Sequence, residues 1–277
     1  MRYLARYLSY AFLVVSFGSL SAPSQEQAAQ QSPAEREQFL LKASVMRHKT
    51  LGKGVTSSER ATLSDGKYEH DAHVQAIDEQ KASFATSRGT ELNFKDTYKF
   101  NIAAYRLDRI LKLNMTPASV ERKVAGKTSA VTWWVDDVLM DELQRHNKKL
   151  EPPDQENWNN QMYVVRVFDQ LIYNTDRNLG NLLIDKQWRL WMIDHTRAFR
   201  LMTELQNEKN LAKCDRHLLA NLRTLDEDKL MEQLRPYLNK AEVKAILARR
   251  DLIVQFFEKE IAQKGEGAVL YDLASRQ

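Results

Sequence analysis

The sequence predicts an α+β fold, a strand-rich first half followed by a helical second half, and three observations carry that prediction. Between Val45 and about Ile77, short β-like runs are broken by glycines and turn dipeptides. From Trp158 onward apolar residues recur at helical spacing, with Trp158, Met162, Val165, Phe168 and Ile172 four, three, three and four residues apart. Finally, 277 residues with 43% hydrophobic and 28% charged side chains are enough to bury one large core or two modest ones.

The elements follow in order. Arg2 and Arg6 precede an apolar run from Tyr10 to Leu20, and the small residues Ser21, Ala22 and Ser24 come after it. That is the layout of a signal peptide over residues 1–24, and the run is shorter than the ~20 apolar residues of a spanning helix. It predicts a secreted or periplasmic protein; the alternative is an uncleaved N-terminal anchor. Residues 25–39, rich in Gln and Ala, read as a linker. Gly52 and Gly54 punctuate a β-like run from Leu51 to Thr56, and Ser64-Asp65-Gly66 is a hairpin turn. His73 to Ile77 alternates like a half-buried strand. Asp96 or Thr97 is placed to cap a helix carrying Ile102, Ala103, Leu107, Ile110 and Leu111. Strands are expected over Ser119–Val124 and Ala130–Val135.

The second half is expected to be helical, apart from a hairpin of Leu182–Ile184 with Leu190–Ile193. Thr224 with Glu227, and Asn239 with Glu242, have capping-box spacing, and the last helix runs to about Lys264, where Gly265 ends it. Cys214 is the only cysteine, so no intramolecular disulfide is possible. Net charge is +4, falling to about +2 without Arg2 and Arg6, and the signs are interspersed. Such a balance argues against a nucleic-acid partner, and Arg249-Arg250 and Lys148-Lys149 read as solvated helix faces. The chain does not read as a multi-pass membrane protein.

Chemistry concentrates between Phe168 and Phe199. Phosphoryl transfer needs a carboxylate to orient an attacking hydroxyl and oxygen ligands for a divalent cation. Asp176, followed five residues later by Asn181, has the Asp-x-x-x-x-Asn spacing of a kinase catalytic loop, and Asp194 follows an apolar strand. The competing reading makes Asn174, Asp176, Asn178 and Asn181 turn formers and Asp194 a cap. The order of helix, loop, hairpin and Asp194 favours the site.

The segment Asn174-Thr175-Asp176-Arg177-Asn178-Leu179-Gly180-Asn181, with Ile193-Asp194-His195, resembles the phosphatidylinositol 3/4-kinase-like superfamily. The resemblance is greatest to the secretory-pathway protein kinases and their bacterial relatives. Residues 102–111 are similar to the regulatory helix of that family and Val131–Asp136 to its hinge strand. It implies a two-lobed protein-kinase-like fold, with a small strand-rich lobe over 40–137, a helical lobe over 138–277 and the site in the cleft. The implied reaction is transfer of the γ-phosphoryl group of ATP to a hydroxyl acceptor, be it protein, lipid headgroup or small molecule. Asp176 would be catalytic, Asn181 and Asp194 would hold Mg²⁺ or Mn²⁺, and Gly52 and Gly54 would cover the phosphates. Two departures stand out: Gln75 occupies the place of the phosphate-binding lysine and Asn101 that of its glutamate partner. Lys81 or Lys99 could stand in for the lysine, and a catalytically impaired pseudokinase is the alternative reading.

Overall fold

The computed structural model describes residues 31–51, 58–86 and 89–276. Gly52 and Gly54, most of the run expected over Leu51–Thr56, and the expected signal peptide lie outside the described residues. The described part opens with helix α1 (Pro33–Lys42), which occupies the later part of the stretch read as a linker. The Gln/Ala-rich composition obscured a complete capping box. Ser32 Oγ accepts the Glu35 N–H while the Glu35 carboxylate accepts the Ser32 N–H, and Phe39 and Leu40 are buried.

Five antiparallel strands follow as one sheet, in the order β1 (Ser44–Thr50), β2 (Ser58–Ser64), β3 (Glu69–Gln75), β7 (Lys127–Trp133), β6 (Ser119–Val124). The Ser64-Asp65-Gly66 turn joins β2 to β3 as expected. Gly66 takes φ of +88°, and Asp65 Oδ1 accepts the N–H groups of Lys67 and Tyr68. Phe39, Leu63, Tyr68, Val74, Val120, Val131 and Trp133 form the core under this sheet.

Between β3 and the next helix the chain makes a hairpin that sequence reading missed, β4 (Asp78–Thr86) with β5 (Gly89–Thr97). Asp96 is therefore a strand residue rather than a helix cap. Helix α2 (Lys99–Leu111) starts after Tyr98, which makes no side-chain cap, although Thr97 Oγ1 accepts the Lys99 N–H. Most of its residues are buried because it lies between two cores. Tyr105 packs into the sheet's core, while Phe100, Ala103, Leu107 and Leu111 join the core of the helical region.

The helical region carries β8 (Val138–Asp141), α3 (Glu142–Asn147), α4 (Gln155–Ile172), the hairpin β9 (Leu182–Asp185) with β10 (Leu190–Met192), the short β11 (Cys214–Asp215), α5 (Arg216–Arg223), α6 (Glu227–Leu234) and α7 (Lys240–Lys264). A last turn, α8 (Glu266–Val269), leads to β12 (Leu270–Tyr271), which pairs parallel with β11. Strand β8 pairs with β9, so the segment leaving the large sheet joins the hairpin before Asp194. Asn239 and Glu242 form the expected capping box and Gly265 ends α7. Thr224, by contrast, is the C-cap of α5, and Asp226 caps α6; the Thr224 and Glu227 spacing was coincidental. Cys214 is buried without a disulfide, and burial pushes its thiol pKa up. Among the described residues no helix is long and apolar enough to cross a membrane.

Candidate active site

Helix α4 delivers the loop that carries Asp176. Its last residues, Phe168, Leu171 and Ile172, are fully buried, and Tyr173 closes it in the left-handed conformation with φ of +49°. Asn174, buried, turns the chain outward. Its Oδ1 accepts the Asp176 N–H at 3.0 Å and its Nδ2 donates to Asp169 Oδ1 at 3.1 Å. Asp176 emerges exposed, and its carboxylate makes no hydrogen bond to the described residues. A carboxylate held by its backbone and free at its oxygens is suited to orient an incoming hydroxyl.

Arg177 holds the loop to the strand that brings Asp194. Its Nε and Nη2 donate to the two oxygens of Asp169, at 3.0 Å and 3.1 Å for the shortest pair. Nη1 donates to the carbonyls of Asn181 at 3.0 Å and Ile193 at 2.9 Å, and Nη2 also meets His195 Nε2 at 2.9 Å. One guanidinium thus binds the start of the loop, its end and the Asp194 segment. The Ile193 N–H donates back to the Asn181 carbonyl at 3.1 Å. Burial, and secondarily the Arg177 charge, hold the His195 pKa well below its ordinary value, which keeps the ring neutral as an acceptor for Arg177.

Asp194 sits with φ of +53°, a backbone that Asp tolerates better than most residues. Its Oδ1 accepts the Thr196 hydroxyl at 3.2 Å. Burial raises its pKa; the Thr196 hydrogen bond opposes this and the Asp176 charge adds to it. Asn181 donates Nδ2 to the Asp176 carbonyl at 3.3 Å, leaving Oδ1 uncommitted among the described residues. Two mutually repelling carboxylates beside a spare amide oxygen form a hard oxygen donor set of the kind Mg²⁺ or Mn²⁺ takes with added phosphate oxygens and water. The residues present therefore fit a divalent cation, although no group of three His, Cys, Asp or Glu side chains gathers among the described residues.

The N-terminal contribution is uncharged. Gln75 on β3 and Asn101 on α2 are both buried, and Asn101 Nδ2 donates to Gln75 Oε1 at 2.6 Å. Asn101 Oδ1 accepts the His195 N–H at 2.7 Å, so the amide pair ends on the residue beside Asp194. Lys81 stands on β4 of the β4–β5 hairpin. Its ammonium pairs with Glu79 at 2.7 Å and rests near the rings of Phe84 and Phe94. Lys99 pairs with Asp78 at 3.0 Å. Both lysines are already committed to ion pairs.

Two supports were invisible in the sequence. Glu91 on the missed hairpin pairs with Arg197 at 3.2 Å and with buried Arg200 at 2.7 Å, and the Thr97 N–H donates to the Thr196 carbonyl at 3.1 Å. The hairpin is thereby tied to the Asp194 loop. Arg249, expected on a solvated face, is fully buried. Its guanidinium donates to the carbonyls of Leu171 at 2.8 Å, Arg200 at 3.0 Å and Met202, joining the end of α4 to the segment after Asp194. Neighbouring Arg250 donates to the Leu222 and Leu225 carbonyls. Only the buried carbonyl ends of other elements explain these arginines, and spacing along α7 does not reveal them.

With that geometry in place, the chain can be compared with known proteins. No family model matches it, and no curated protein matches it either. Solved structures do. A hydra Fam20 structure with sugar matches at a TM-score of 0.62 with 14% identity, covering 93% of this chain and 96% of that one. A Golgi casein kinase matches at 0.58 with 13% identity over 92% and 82% of the two chains. A Golgi casein kinase structure with Mn/ADP bound matches at 0.59 with 12% identity over 90% and 80%. The chain has a kinase-like fold of the kind these structures share. The likeness lies with the secretory-kinase side of the resemblance.

Proposed function

We propose that this chain is a phosphotransferase that uses ATP and Mg²⁺ or Mn²⁺ to phosphorylate a hydroxyl acceptor. The observation that carries the reading is the Arg177 junction, which brings the Asp176–Asn181 loop and Asp194 to one place. Within it Asp176 orients the acceptor hydroxyl and takes up its proton, while Asn181 and Asp194 supply cation ligands. The bound cation would draw the phosphate oxygens in and offset their charge as transfer proceeds. Support for ATP and metal comes from the donor set and from the Mn/ADP-bound Golgi casein kinase of like fold. Division into a small lobe over 40–137 and a large lobe over 138–277, with Gly52 and Gly54 above the phosphates, belongs to the same reading. Export directed by residues 1–24 belongs to it as well.

The second reading, a pseudokinase that binds nucleotide or a protein partner, rests on a specific observation. Gln75 and Asn101 bond to each other, so no lysine charge reaches the α/β-phosphates from β3. Incubating the purified chain with γ-labelled ATP, Mn²⁺ and casein separates the two. Label transfer abolished by Asp176→Ala supports the enzyme. Nucleotide binding with no transfer to casein or to small hydroxyl acceptors supports the pseudokinase.

A further inference from the structure

The Asp176 loop is bordered by apolar side chains that no core uses. Ten large apolar side chains are well exposed among the described residues. Four of them, Val138, Leu139, Leu143 and Leu179, stand on β8, on α3 and in the loop itself. Leucines exposed singly are ordinary, whereas a group of them with a polar rim marks a contact surface. None of the four belongs to a hydrophobic core among the described residues.

Strand register puts these elements side by side. Asp141 at the end of β8 faces Leu183 on β9, so α3, which starts at Glu142, begins beside the end of the Asp176–Asn181 loop. Both β8 and α3 pack against the single turn Leu179–Asn181. Met140 and Ile184 face the core from the two strands, and Leu139 lies where the β8 register slips, on the outer side. On α3, Glu142 is buried and accepts from Arg145 Nε at 2.6 Å, and the next residue, Leu143, is turned outward. Leu139 and Leu143 are each 47% exposed and Leu179 is 38% exposed.

The place of Leu179 points to what covers it. It lies between Asp176 and Asn181 in the same loop, and its backbone is fixed from both sides. Asn178 Oδ1 accepts the Gly180 N–H at 2.9 Å, and the Leu179 carbonyl accepts the Leu182 N–H. The leucine is thus presented at a set position beside the carboxylate that orients the acceptor hydroxyl. An extended peptide advances about 3.3 Å per residue, so a side chain one to three residues from the hydroxyl-bearing one reaches this ground. A sugar held at Asp176 would leave the leucines in water. Carboxylates of Asp141 and Asp176 on the border oppose the anionic face of a membrane.

We infer that the acceptor is a polypeptide that lays a large apolar side chain, close in sequence to its hydroxyl-bearing residue, on a shelf formed by Leu139, Leu143 and Leu179. The shelf supplies selectivity through burial of apolar surface, which needs no charge on either partner. The polypeptide's role as acceptor rests on the phosphotransferase reading; its seat on the shelf does not.

The test is fluorescence anisotropy of a labelled serine peptide flanked by leucines, beside the same peptide with asparagines in their place, titrated with the full chain. Saturable binding of the leucine peptide is expected, about 10-fold tighter than the asparagine peptide, the size that burial of one leucine gives. Leu179→Asn and Leu143→Asn should each weaken it by about the same factor. Leu252→Asn, at a leucine equally exposed on α7, should leave it unchanged. Circular dichroism melts establish that the shelf variants fold, and either one alone decides the matter. In labelled-phosphate transfer to the leucine peptide the same variants should raise KM and leave kcat unchanged. Shelf-dependent binding without transfer would keep the peptide site and remove the phosphotransferase reading. Transfer with a KM indifferent to both variants would keep that reading and overturn the shelf. Equal affinity for the two peptides, no peptide binding, or binding of phosphatidylserine vesicles in place of peptide would overturn it as well.

Discussion

The two halves of the candidate site are built on different chemistry. On the helical side, a buried charge network organises the loop. Arg177 is shared among Asp169, two carbonyls and His195, and Arg249 holds the carbonyl ends of the flanking segments. On the strand side the same task falls to two neutral amides, Gln75 and Asn101, which reach the His195 N–H. Both arrangements end on His195, the residue next to Asp194. They differ in what they offer a ligand. The charged network spends its charges inward, whereas an ion pair at the amide positions would have offered a cation to the phosphates. An amide pair keeps the positional role of such an ion pair and avoids the desolvation of two buried charges.

Breaking each half separately tests the contrast. The largest effect is expected for Asp176→Ala. Its exposed carboxylate supports no described hydrogen bond, so stability should hold while transfer falls by about 10²–10⁴-fold in a labelled-phosphate assay. Arg177→Met should come next. It strands Asp169 as a buried charge, a loss on the order of 3–5 kcal/mol in urea unfolding. Asn101→Ala on the neutral side should cost less, about 1–3 kcal/mol, because it removes neutral hydrogen bonds only. If Asn101→Ala costs as much as Arg177→Met, the two halves are not as different as their chemistry states.

A double replacement sharpens the comparison. Gln75→Lys alone introduces an unpaired buried charge and should destabilise, while Gln75→Lys with Asn101→Glu restores an ion pair and should recover most of that loss. The pair should also tighten nucleotide binding about 10-fold, roughly 1.4 kcal/mol, by supplying a charge to the phosphates. Equal nucleotide affinity in the double variant and the natural chain would show that Gln75 does not face the phosphates.

The smallest expected effect concerns a charge buried without an ion pair. Asp108 is fully buried, and burial raises its pKa to about 6 from an ordinary 3.8, against the opposing pull of its backbone hydrogen bonds. Between pH 6 and about 4, the folded chain holds a proton that the unfolded chain lacks, so this group adds stability as pH falls through that window. Relative to Asp108→Asn, the natural chain should gain at most about 1.4 kcal/mol per pH unit over that interval. Urea midpoints of both chains at pH 7 and pH 5 check the sign; a natural chain that loses ground on acidification contradicts it.

Legibility in the sequence followed the range of the interactions. The α4 helix, the β9–β10 hairpin, β6 and the Ser64-Asp65-Gly66 turn were readable because each is written in residues close together. The Asp176, Asn181 and Asp194 spacing was local in the same sense, and so was the absence of charge at Gln75 and Asn101. What escaped depends on distant partners. The β4–β5 hairpin is largely polar, and its role appears only when Glu91 meets Arg197 and Arg200. Arg249 reads like any helical arginine until three carbonyls from elsewhere surround it. The second link of the amide chain, from Asn101 to His195, joins residues 94 positions apart. Helix α1 was a different kind of miss: its capping box is local, but a Gln/Ala-rich neighbourhood hid it.

The most direct test of the central claim is calorimetric titration of ATP into the purified chain with Mn²⁺, with EDTA in place of metal, and with Asp194→Ala. The account predicts saturable binding with Mn²⁺ that disappears with EDTA and in Asp194→Ala while the fold, followed by circular dichroism, stays intact. Absence of any divalent-dependent nucleotide binding, or binding indifferent to Asp194→Ala, would contradict it.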